Sequence, residues 1–381
     1  IGELIMTKYV VAPDSFKESM TAKEVCDAME KGIKEADSAA EVIKVPMADG
    51  GEGTVDSLVD ATQGQRVIVE VTGPLGNKIS AYYGILGNGT TAVIEMAKAS
   101  GLEIVEKKKR NPMITTTFGT GELIRDALDH NVKEIIIGLG GSSTNDGGSG
   151  MAQALGAKLL DQNNHQIPFG GGNLDKLDKI DISNLDSRLQ DVKIILASDV
   201  TNPLIGKDGA SRVFGPQKGA TPEMVEKLEN NLQHYAKIVK RDLNKEVALV
   251  SGAGAAGGLG AGLIAFTTCE MRRGVDLAIE VTKLEEKIRD ADYVFTGEGG
   301  TDFQTKFGKT PYGVAKLGKK YHKPVISLAG YLGEGIDSLY SEGFTAIFGI
   351  IPGACDLSTA LKNGPSNVAR TTENIVRLLN F

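Results

Sequence analysis

Five polar loops of the sequence, four of them glycine-rich, contain carboxylates and hydroxyls, and three of them also contain lysines; each follows a segment with the composition of a strand. In open α/β sheets, ligands bind outside the carboxyl ends of the strands, so chemistry is expected in these loops. Carboxylates suit a divalent cation, and lysines suit phosphate oxygens. The loops are residues 12–17, 47–54, 138–148, 198–220 and 296–311.

The first two loops each bring charged side chains to the start of a predicted helix. In the first loop, Asp14 and Lys17 stand within one turn, and helix capping by Asp14 explains them at least as well as chemistry does. In the second loop, Asp49 and Glu52 are interleaved with three glycines. A cap needs one carboxylate, whereas glycines also expose backbone N–H groups that suit an anion or a metal–phosphate group. We therefore favour a functional interpretation of the second loop.

The third loop, residues 138–148, is the most specific local signal. Glycines flank four consecutive hydrogen-bonding residues and one aspartate, between a predicted strand and a predicted helix. Hydroxyl and backbone donors beside a helix N-terminus stabilise negative charge, as in a phosphate cradle. So many polar groups would be hard to satisfy within a purely structural loop. The candidate phosphate contacts are Gly140, Gly141, Ser142, Ser143, Thr144 and Asp146.

The fourth loop begins where Asp199 ends a predicted strand, a usual position for a catalytic or metal-binding carboxylate. Asn202 and Lys218 could act with it. A turn fixed by Asp199 and Pro203 is an equally good explanation, and both interpretations stay open at this point.

The fifth loop contains Gly308-Lys309-Thr310, which looks like the end of a Walker A motif. That motif requires glycine five positions before Gly308, where this chain has Phe303, so the loop is not a P-loop. It still combines two carboxylates with two lysines, a mixture suited to a metal–polyphosphate complex. These four side chains are Glu298, Asp302, Lys306 and Lys309.

A rival motif at residues 252–257 matches the G-x-G-x-x-G dinucleotide fingerprint. Asp276 follows about twenty residues later, as that fingerprint requires, but residues 275–281 have a helical pattern instead of a strand that would deliver it. We interpret the motif as close helix–loop packing or a further phosphate contact. No nucleophile elbow, His-Glu-x-x-His or Cys/His motif is present. Acidic loops and lysines without an activated nucleophile favour phosphoryl transfer, which needs positioning and charge neutralisation.

Hydrophobic periodicity predicts alternating strands and helices around these loops. A βαβα beginning indicates a parallel sheet covered by helices, and a turn-rich link at residues 73–77 indicates one antiparallel pair. The predicted strands are residues 8–14, 41–47, 66–71, 78–86, 134–139, 192–197, 293–296, 325–329 and 346–350. The predicted helices are one opened by a Thr21–Glu24 capping box and residues 55–62, 121–129, 148–160, 222–239, 259–266, 312–321 and 358–379.

The predicted fold class is α/β with two domains, because 381 residues exceed the usual size of one domain. Residues 6–65 plus 286–381 are assigned to a discontinuous parallel-sheet domain. Residues 66–285 are assigned to an inserted mixed α/β domain. Residues 1–5 are interpreted as an extension that is not part of the fold.

Composition excludes several classes of protein. The net charge is −7, from 42 Lys+Arg against 49 Asp+Glu, so nucleic acid is not an expected partner. No uncharged apolar run reaches the ~18 residues of a membrane helix, and the chain does not begin like a signal peptide. Three scattered cysteines form no disulfide or zinc pattern and fit a reducing compartment, so a cytoplasmic protein is expected. The oligomeric state stays open, with a homo-oligomer as one option.

Seven motifs in order resemble the bacterial glycerate kinase family of the glyoxylate- and galactarate-pathway type. They are APDSFKES, MADGGEGT, GLGGSSTNDGG, SDVTNPL, FGPQKGA, GAGAAGGLGAG and TGEGGTDFQTKFGKTP, from residue 12 to residue 311. The resemblance covers essentially the whole chain from Met6. It implies ATP-dependent phosphorylation of D-glycerate with Mg²⁺, and 2-phosphoglycerate is the favoured product.

The resemblance also implies an architecture. One α/β domain is flavodoxin/Rossmann-like and discontinuous, the other is inserted into it, and the active site lies in the cleft between them. One departure is Gly300, because many relatives have a basic residue at this position. If that residue contacts a ligand in relatives, another cation, such as Lys306, must serve here.

Our hypothesis is direct in-line transfer from ATP to a hydroxyl of glycerate. Asp199 is the first candidate for the base that accepts the hydroxyl proton, and Asp14 is the second. Lys17 and Lys218 would bind the substrate carboxylate or neutralise the transferred charge. The remaining assignments are Mg²⁺ to Asp49, Glu298 and Asp302, phosphates to the third loop with Lys306 and Lys309, and substrate contacts to Asn202, Gly50, Gly51 and Gln304.

Two other functions stay open. A nicotinamide-dependent oxidoreductase would use residues 252–257 and would be stabilised by NAD instead of Mg-ATP. A non-enzymatic small-anion binding protein would saturate with glycerate and release no ADP. The density of carboxylates in the loops argues against it, because anion binding has little use for them.

Overall fold

The computed structural model describes residues 6–381, so the extension expected at residues 1–5 lies outside the described residues. Its strands alternate with helices along much of the chain. The strands are β1 (Lys8–Val11), β2 (Glu41–Lys44), β3 (Gln65–Thr72), β4 (Lys78–Ile85), β5 (Thr91–Glu95), β6 (Glu134–Gly138), β7 (Lys158–Leu160), β8 (Lys179–Asp181), β9 (Lys193–Ala197), β10 (Cys269–Arg272), β11 (Tyr293–Thr301), β12 (Val325–Leu332) and β13 (Ala346–Gly349).

The helices range from one turn to six turns. They are α1 (Ala22–Ala36), α2 (Thr54–Thr62), α3 (Ala97–Ser100), α4 (Phe118–Asp129), α5 (Ser149–Ala154), α6 (Ala210–Phe214), α7 (Pro222–Leu243), α8 (Ala255–Phe266), α9 (Gly274–Val281), α10 (Leu284–Arg289), α11 (Thr310–Lys320), α12 (Leu357–Lys362) and α13 (Gly364–Leu379). Across residues 6–381, none of them combines the length and apolarity needed to span a membrane.

Contacts divide the chain into two units. The first comprises the described residues up to Asp49, with Asp56–Gln63 and Arg273–Phe381. The second comprises Gly50–Val55 and Gly64–Arg272. The domain boundaries expected from the sequence, 65/66 and 285/286, stay a prediction.

The first unit contains a five-stranded sheet in the order β13-β12-β11-β1-β2, and every neighbouring pair is parallel. Numbered within the unit, this is the order 2-1-3-4-5 of flavodoxin-like sheets. The chain runs outward in both directions from the β1–β11 pair, which makes that pair the topological switch point. In open α/β sheets, ligands bind outside the carboxyl ends of the strands at such a point, so a site is expected beyond the ends of β1 and β11.

The start and the buried face of helix α1 are both determined by its local sequence. The predicted capping box is confirmed, since the Glu24 backbone N–H donates to Thr21 Oγ1 at 3.2 Å and the Thr21 N–H donates to the Glu24 carboxylate at 2.8 Å. Val25, Met29 and Ile33, which recur at helical spacing, are all buried against the sheet core.

The second unit contains a six-stranded mixed sheet in the order β10-β9-β6-β5-β4-β3. Strands β5, β6, β9 and β10 are parallel, whereas β4 pairs antiparallel with both β3 and β5. The antiparallel pair predicted around residues 73–77 is therefore confirmed, as is the α/β fold class. A separate two-stranded ribbon is formed by β7 and β8.

Several predicted boundaries differ from the structure. The strands predicted at residues 8–14 and 41–47 end earlier, at Val11 and Lys44. The helix predicted at residues 148–160 ends at Ala154, because Gly156 adopts φ +101° in front of strand β7. The final helix is divided at Asn363 into α12 and α13. Strand β11 extends five residues past its predicted end, because residues up to Thr301 pair with β12. The fifth loop therefore starts as a strand, which fixes the orientation of its first residues.

Candidate active site

The switch point of the first unit positions Asp14 beside β11. The Asp14 backbone N–H donates to the Gly297 carbonyl at 2.9 Å, which extends the β1–β11 pairing past the end of β1. The Asp14 carboxylate accepts a hydrogen bond from Thr310 Oγ1 at 2.6 Å and another from the Ser15 N–H at 2.7 Å. Thr310 is the first residue of α11 and is fully buried. Asp14 therefore has a fixed orientation just beyond the carboxyl end of β1.

The charge state of Asp14 is unusual for a carboxyl group. Burial, together with the nearby negative charges of Asp49 and Glu298, raises its pKa to about 7, while the hydrogen bonds from Thr310 and Ser15 oppose the shift. A carboxyl that titrates near neutrality can accept a proton and release it again at physiological pH. The hydrogen bonds and the pKa together make Asp14 a geometric and electrostatic candidate for a general base.

Glu298 lies on β11 next to this carboxylate and is almost fully buried. Its Oε1 accepts hydrogen bonds from Thr305 Oγ1 at 2.6 Å and Thr301 Oγ1 at 3.1 Å, and its Oε2 lies 3.0 Å from Lys309 Nζ. Burial raises the pKa of Glu298, while Thr305 and Lys309 oppose this shift. We call Asp14, Glu298, Thr305, Lys309 and Thr310 the switch-point cluster.

The rest of the fifth loop is a short 3₁₀ helix, Phe303–Phe307, that Asp302 caps. Asp302 Oδ1 accepts a hydrogen bond from the Gln304 N–H at 2.8 Å. Lys306 points its Nζ over the Phe307 ring, 5.5 Å from the centroid. Asp302 thus has a local structural role, and the structure gives Lys309, not Lys306, the direct contact with Glu298.

The carboxylates of the first unit were assigned to a metal. Within residues 6–381, no three or more His, Cys, Asp or Glu side chains gather in a group that could hold a metal ion. Asp49 and Glu298 are close enough to act on Asp14, whereas Asp302 caps its own helix. Mg²⁺ usually needs only one or two protein carboxylates, with substrate phosphates and water as the other ligands. The donor set fits Mg²⁺ on those terms, and the assignment to individual residues stays a prediction.

Gly50 and Gly51 belong to the second unit, where they contact the third loop. A Cβ at Gly138 would lie 2.8 Å from the Gly50 carbonyl oxygen, and a Cβ at Gly140 would lie 3.2 Å from Gly51 Cα. The glycines thus allow two loops to approach backbone to backbone. Sequence reasoning assigned them to substrate, and that assignment stays untested beside this packing role.

The third loop encloses Asp146, which is fully buried. Its carboxylate accepts four hydrogen bonds: from Thr117 N–H and Oγ1, both at 2.9 Å, from Gly148 N–H at 3.1 Å and from Gly150 N–H at 3.3 Å. Burial raises the pKa of Asp146, and these donors oppose the shift. Asp146 therefore holds the loop and the start of α5 in place.

Lys218 fixes the same loop from the other side, in the 3₁₀ helix Pro216–Lys218. Its side chain is 2% exposed, and its Nζ donates to Ser142 Oγ and to the Thr144 carbonyl, both at 2.7 Å. Burial lowers its pKa to about 7, partly offset by Asp146. A lysine in this position acts on the loop, and contact with substrate carboxylate would require it to become exposed.

Only part of the third loop faces solvent. Gly140 and Gly141 are exposed and Gly141 has φ +73°, while Ser142 is nearly buried. Ser143 Oγ donates to the Ser100 carbonyl at 3.0 Å, so its hydroxyl stabilises the loop. Within the described part of the chain, Thr144 Oγ1 is buried without a hydrogen-bond partner. Phosphate contact is therefore best supported at Gly140, Gly141 and Ser142.

Two candidate residues of the fourth loop, Asp199 and Asn202, have different surroundings. Asp199 is exposed just beyond β9. Asn202 stabilises its own loop: its Nδ2 donates to the Asp208 carbonyl at 2.8 Å, and its backbone carbonyl accepts from the Gly254 N–H at 3.0 Å.

In the first unit, Lys17 is exposed in the turn that follows Asp14.

The glycine fingerprint at residues 252–257 does not have the structure of a dinucleotide site. Within the described residues, no strand covers the apolar run before it, and Asp276 lies in helix α9, as its pattern predicts. Gly257 has φ +66°, and a Cβ there would overlap the Thr144 carbonyl oxygen. The interpretation as close packing is confirmed, because Gly257 lets α8 contact the third loop.

Comparison with known proteins decides the family. The sequence matches the glycerate kinase family over residues 9–380. The chain belongs to this family. The resemblance inferred from the seven motifs is thereby confirmed, and the protein is a kinase.

Several relatives of the kinase cover nearly its whole length. It is 52% identical over 374 residues to glycerate kinase of Haemophilus influenzae, covering 98% of this chain and 99% of that protein. It is also 52% identical to glycerate 2-kinase of Escherichia coli K12, covering 98% of each chain. A crystal structure from Salmonella typhimurium LT2, of a protein assigned as glycerate kinase 2, matches with a TM-score of 0.89 and 51% identity, covering 98% of each chain.

Several residues that hold the candidate site residues of this kinase in position were not identified from the sequence. Thr305 and Thr310 were overlooked because a hydroxyl in a loop carries no signal of the carboxylate it will bind. Glu95 was missed because β5 was not predicted, yet its carboxylate accepts a hydrogen bond from the Val55 N–H at 2.8 Å, at the start of α2. Thr117 was missed because no pattern in the sequence shows that the start of α4 approaches the third loop.

Proposed function

We propose that the protein phosphorylates D-glycerate with ATP and forms a phosphoglycerate, with 2-phosphoglycerate favoured. The single observation that carries the proposal is the switch-point cluster, in which a carboxyl group titrating near neutrality is held beside a second carboxylate and Lys309. Family membership supplies the kinase chemistry, and the named relatives make glycerate the substrate to test.

The proposed reaction is in-line transfer. The oxygen of a glycerate hydroxyl forms a bond to the γ-phosphorus of ATP, the bond from that phosphorus to the bridging oxygen breaks, and ADP leaves with the electron pair. The hydroxyl proton passes to a carboxylate of the protein. A base in this role typically contributes 10²–10⁴-fold to the rate, roughly.

Asp14 is the base that we now favour, with Asp199 as the alternative. Asp14 is oriented by two hydrogen bonds, and its pKa of about 7 suits proton acceptance near neutral pH. Asp199 is exposed beyond β9. Asp14 is preferred on its own contacts, because a base that is already held in place loses less orientational freedom in the transition state.

Charge neutralisation is assigned to the remaining groups. Lys309 contacts Glu298 and the Gly300 carbonyl and would bind phosphate oxygens when they enter. Backbone N–H groups at Gly140 and Gly141, with Ser142, would bind phosphate in the second unit. Bound Mg²⁺ would neutralise phosphate charge and would be held by Asp49 and Glu298.

The protein is further proposed to reside in the cytoplasm. Its three cysteines are unpaired, with Cys26 buried and Cys355 exposed. An exposed free thiol suits a reducing compartment. Fractionation of the native host, followed by immunodetection, tests this placement.

The product of the reaction is the decisive test. The purified protein is incubated with ATP, MgCl₂ and D-glycerate, and the products are read by ³¹P and ¹³C NMR together with ADP release. A ³¹P signal split into a doublet by the single proton on C2 supports 2-phosphoglycerate, whereas splitting by the two protons on C3 would indicate 3-phosphoglycerate. Glycerate binding without ADP release would favour the anion-binding alternative, and loss of turnover with EDTA that MgCl₂ restores would support the metal.

A further inference from the structure

Three aromatic side chains of the first unit are exposed around the loop that carries Lys306 and Lys309. Phe303 is 43% exposed, and Phe307 and Tyr331 are each 67% exposed. Large apolar side chains are usually buried, and exposed ones that cluster commonly mark a binding site. A Cβ at Gly333 would lie 2.8 Å from Asp302 Cβ and 3.3 Å from Tyr331 Cε1, which places Tyr331 beside the residue that precedes Phe303. The three rings are therefore a candidate cluster for ligand binding.

The rings are fixed by the backbone around them. The Phe303 N–H donates to the Glu334 carbonyl at 3.0 Å, which ties the 3₁₀ helix to the loop after β12. Phe303 and Phe307 meet edge to face, with ring centroids 6.4 Å apart and an interplanar angle of 89°. This geometry is a favourable aromatic pair and holds Phe307 in position.

Tyr331 lies on β12 in register with Gly300 of β11. A Cβ at Gly300 would lie 3.8 Å from Tyr331 Cδ1, so a larger side chain at this position would cover the ring. Gly300 leaves the ring accessible. The glycine that sequence analysis left without a role thus has a steric consequence for Tyr331.

Cations stand beside the rings. Lys306 Nζ lies 5.5 Å from the Phe307 centroid, and Lys309 Nζ donates to the Gly300 carbonyl at 3.2 Å. Flat aromatic faces bind nucleobases by stacking, and adjacent ammonium groups bind phosphates. The cluster combines both chemistries that a nucleotide requires.

We propose that Phe307 and Tyr331 form the subsite for the adenine base of ATP, with Phe303 as the residue that positions Phe307. The inference rests on the proposed function, since it takes ATP as the phosphoryl donor. A nucleobase is favoured over a protein partner because a specific protein interface buries roughly 1,000 Å² or more, whereas this cluster consists of three rings flanked by charged side chains.

The first experiment uses the absence of tryptophan from the chain. Phe307→Trp introduces a single indole into the proposed subsite, where a stacked adenine quenches its fluorescence. Titration with Mg-ATP is expected to give saturable quenching, whereas titration with magnesium and inorganic triphosphate is expected to give none.

The matched control is Tyr340→Trp. Tyr340 is also exposed, and it lies beside Pro324, which precedes β12 at the end opposite Tyr331. Eight strand residues separate the two ends by roughly 25 Å, so this indole should not respond to ATP. Equal quenching by triphosphate, or equal quenching of the control, overturns the adenine assignment.

The second experiment removes the π faces and keeps apolar volume, with Phe307→Leu and Tyr331→Leu compared against Tyr340→Leu. Loss of stacking to one base is expected to raise the KM for ATP roughly five- to one-hundredfold, with kcat and the KM for glycerate unchanged. A merely structural role would change both KM values or kcat.

The outcomes separate this inference from the proposed function. If the unmodified protein makes phosphoglycerate but both leucine variants keep the ATP KM, the subsite is overturned and the proposed function stands. A raised glycerate KM alone would also overturn the subsite. If the unmodified protein makes no phosphoglycerate, the proposed function itself fails.

Discussion

The switch-point cluster of the first unit and the third loop of the second unit place their charged residues in opposite ways. In the switch-point cluster of the first unit, Asp14 and Lys309 are only partly buried, and threonine hydroxyls hold the carboxylates at the edge of the sheet. In the second unit, Asp146 and Lys218 are buried behind the third loop, and the solvent-facing part of that loop is glycine backbone. The switch-point cluster presents charge, whereas the third loop uses charge internally to shape an uncharged surface.

This difference shows that a charged residue in a glycine-rich loop can be either a ligand or a support. Asp14 and Asp146 each follow a parallel strand and are each surrounded by donors. Asp146 has its oxygens saturated by four protein donors, whereas Asp14 accepts one hydrogen bond at each oxygen and feels other negative charges. Saturated groups stabilise, and incompletely compensated groups are available for chemistry.

The largest expected effect tests whether the base lies in the first unit. Asp14→Asn removes a proton acceptor while keeping the shape of the side chain, so kcat should fall by roughly 10²–10⁴-fold. The measurement is steady-state ADP formation with ATP and D-glycerate at saturating concentrations. Asp199→Asn is the matched variant and should lose far less. The reverse ranking would move the base to the second unit.

The next effect concerns buried charge in the second unit. Lys218 has a folded pKa of about 7 against an ordinary 10.5, so between these pH values the unfolded state binds more protons and stability rises with pH. Lys218→Met should remove this rise, which amounts to a change on the order of 1–4 kcal/mol in the free energy of unfolding. Urea unfolding at pH 7, 8.5 and 10 measures it.

Lys237→Met serves as the control for this pH dependence, because Lys237 is exposed on α7. The slope with pH that this variant shows is the reference for that of Lys218→Met. If the free energy of unfolding changes with pH equally in wild type and in Lys218→Met, Lys218 is not a destabilising buried cation. The contrast drawn between the switch-point cluster and the third loop would then be wrong for Lys218.

A smaller effect on the free energy of unfolding should distinguish Asp146, whose carboxylate holds the third loop, from Asp302, which caps a 3₁₀ helix. In Asp146→Asn, one carboxylate oxygen is replaced by an amide NH₂ that would face a backbone donor, so unfolding should become easier by about 2–3 kcal/mol. Asp302→Asn should cost at most a few tenths, since aspartate and asparagine are about equally good caps. The urea midpoints of the two variants decide between these values, and similar midpoints would contradict the contrast.

The smallest effect refines the role of Thr310. Its hydrogen bond lowers the pKa of Asp14, so Thr310→Val should raise that pKa and leave more of the base protonated at pH 7. A loss worth about 1 kcal/mol raises the pKa by roughly 0.7, so the deprotonated fraction and kcat/KM should fall roughly threefold at pH 7 and recover at higher pH. Thr310→Ser retains the hydroxyl and should behave like wild type. A loss that does not recover with pH would assign Thr310 a structural role.

Much of the local structure was predictable because it depends on neighbouring residues. The Thr21–Glu24 capping box, the buried positions of α1 and the antiparallel β3–β4 pair follow from spacing and turn chemistry. The α5 prediction failed at its end because Gly156 was counted as a helical residue, although glycine with positive φ ends helices. Strand β5 was missed because its five residues are all buried and show no alternation.

The candidate site was only partly predictable. Residue types and motif order located Asp14, Glu298, Lys309 and Lys218 in the loops. Their hydrogen-bond partners come from distant positions, such as Thr310, which is 296 residues from Asp14, and Ser142, which is 76 residues from Lys218. No local pattern relates residues at such separations, and therefore roles that depend on burial could not be assigned from the sequence.

The amino-acid sequence by itself determined the family, the α/β class and the identity of the polar loops, because motif order and hydrophobic periodicity are properties of the chain alone. The tertiary structure decided which of those polar groups are exposed, which are buried, and how each ionises. The physical reason is that a pKa depends on solvation and on charges in three dimensions. Aspartate thus serves as a candidate base in Asp14, beyond the carboxyl end of a central strand. Aspartate and lysine serve as buried structural residues in Asp146 and Lys218, which hold the third loop.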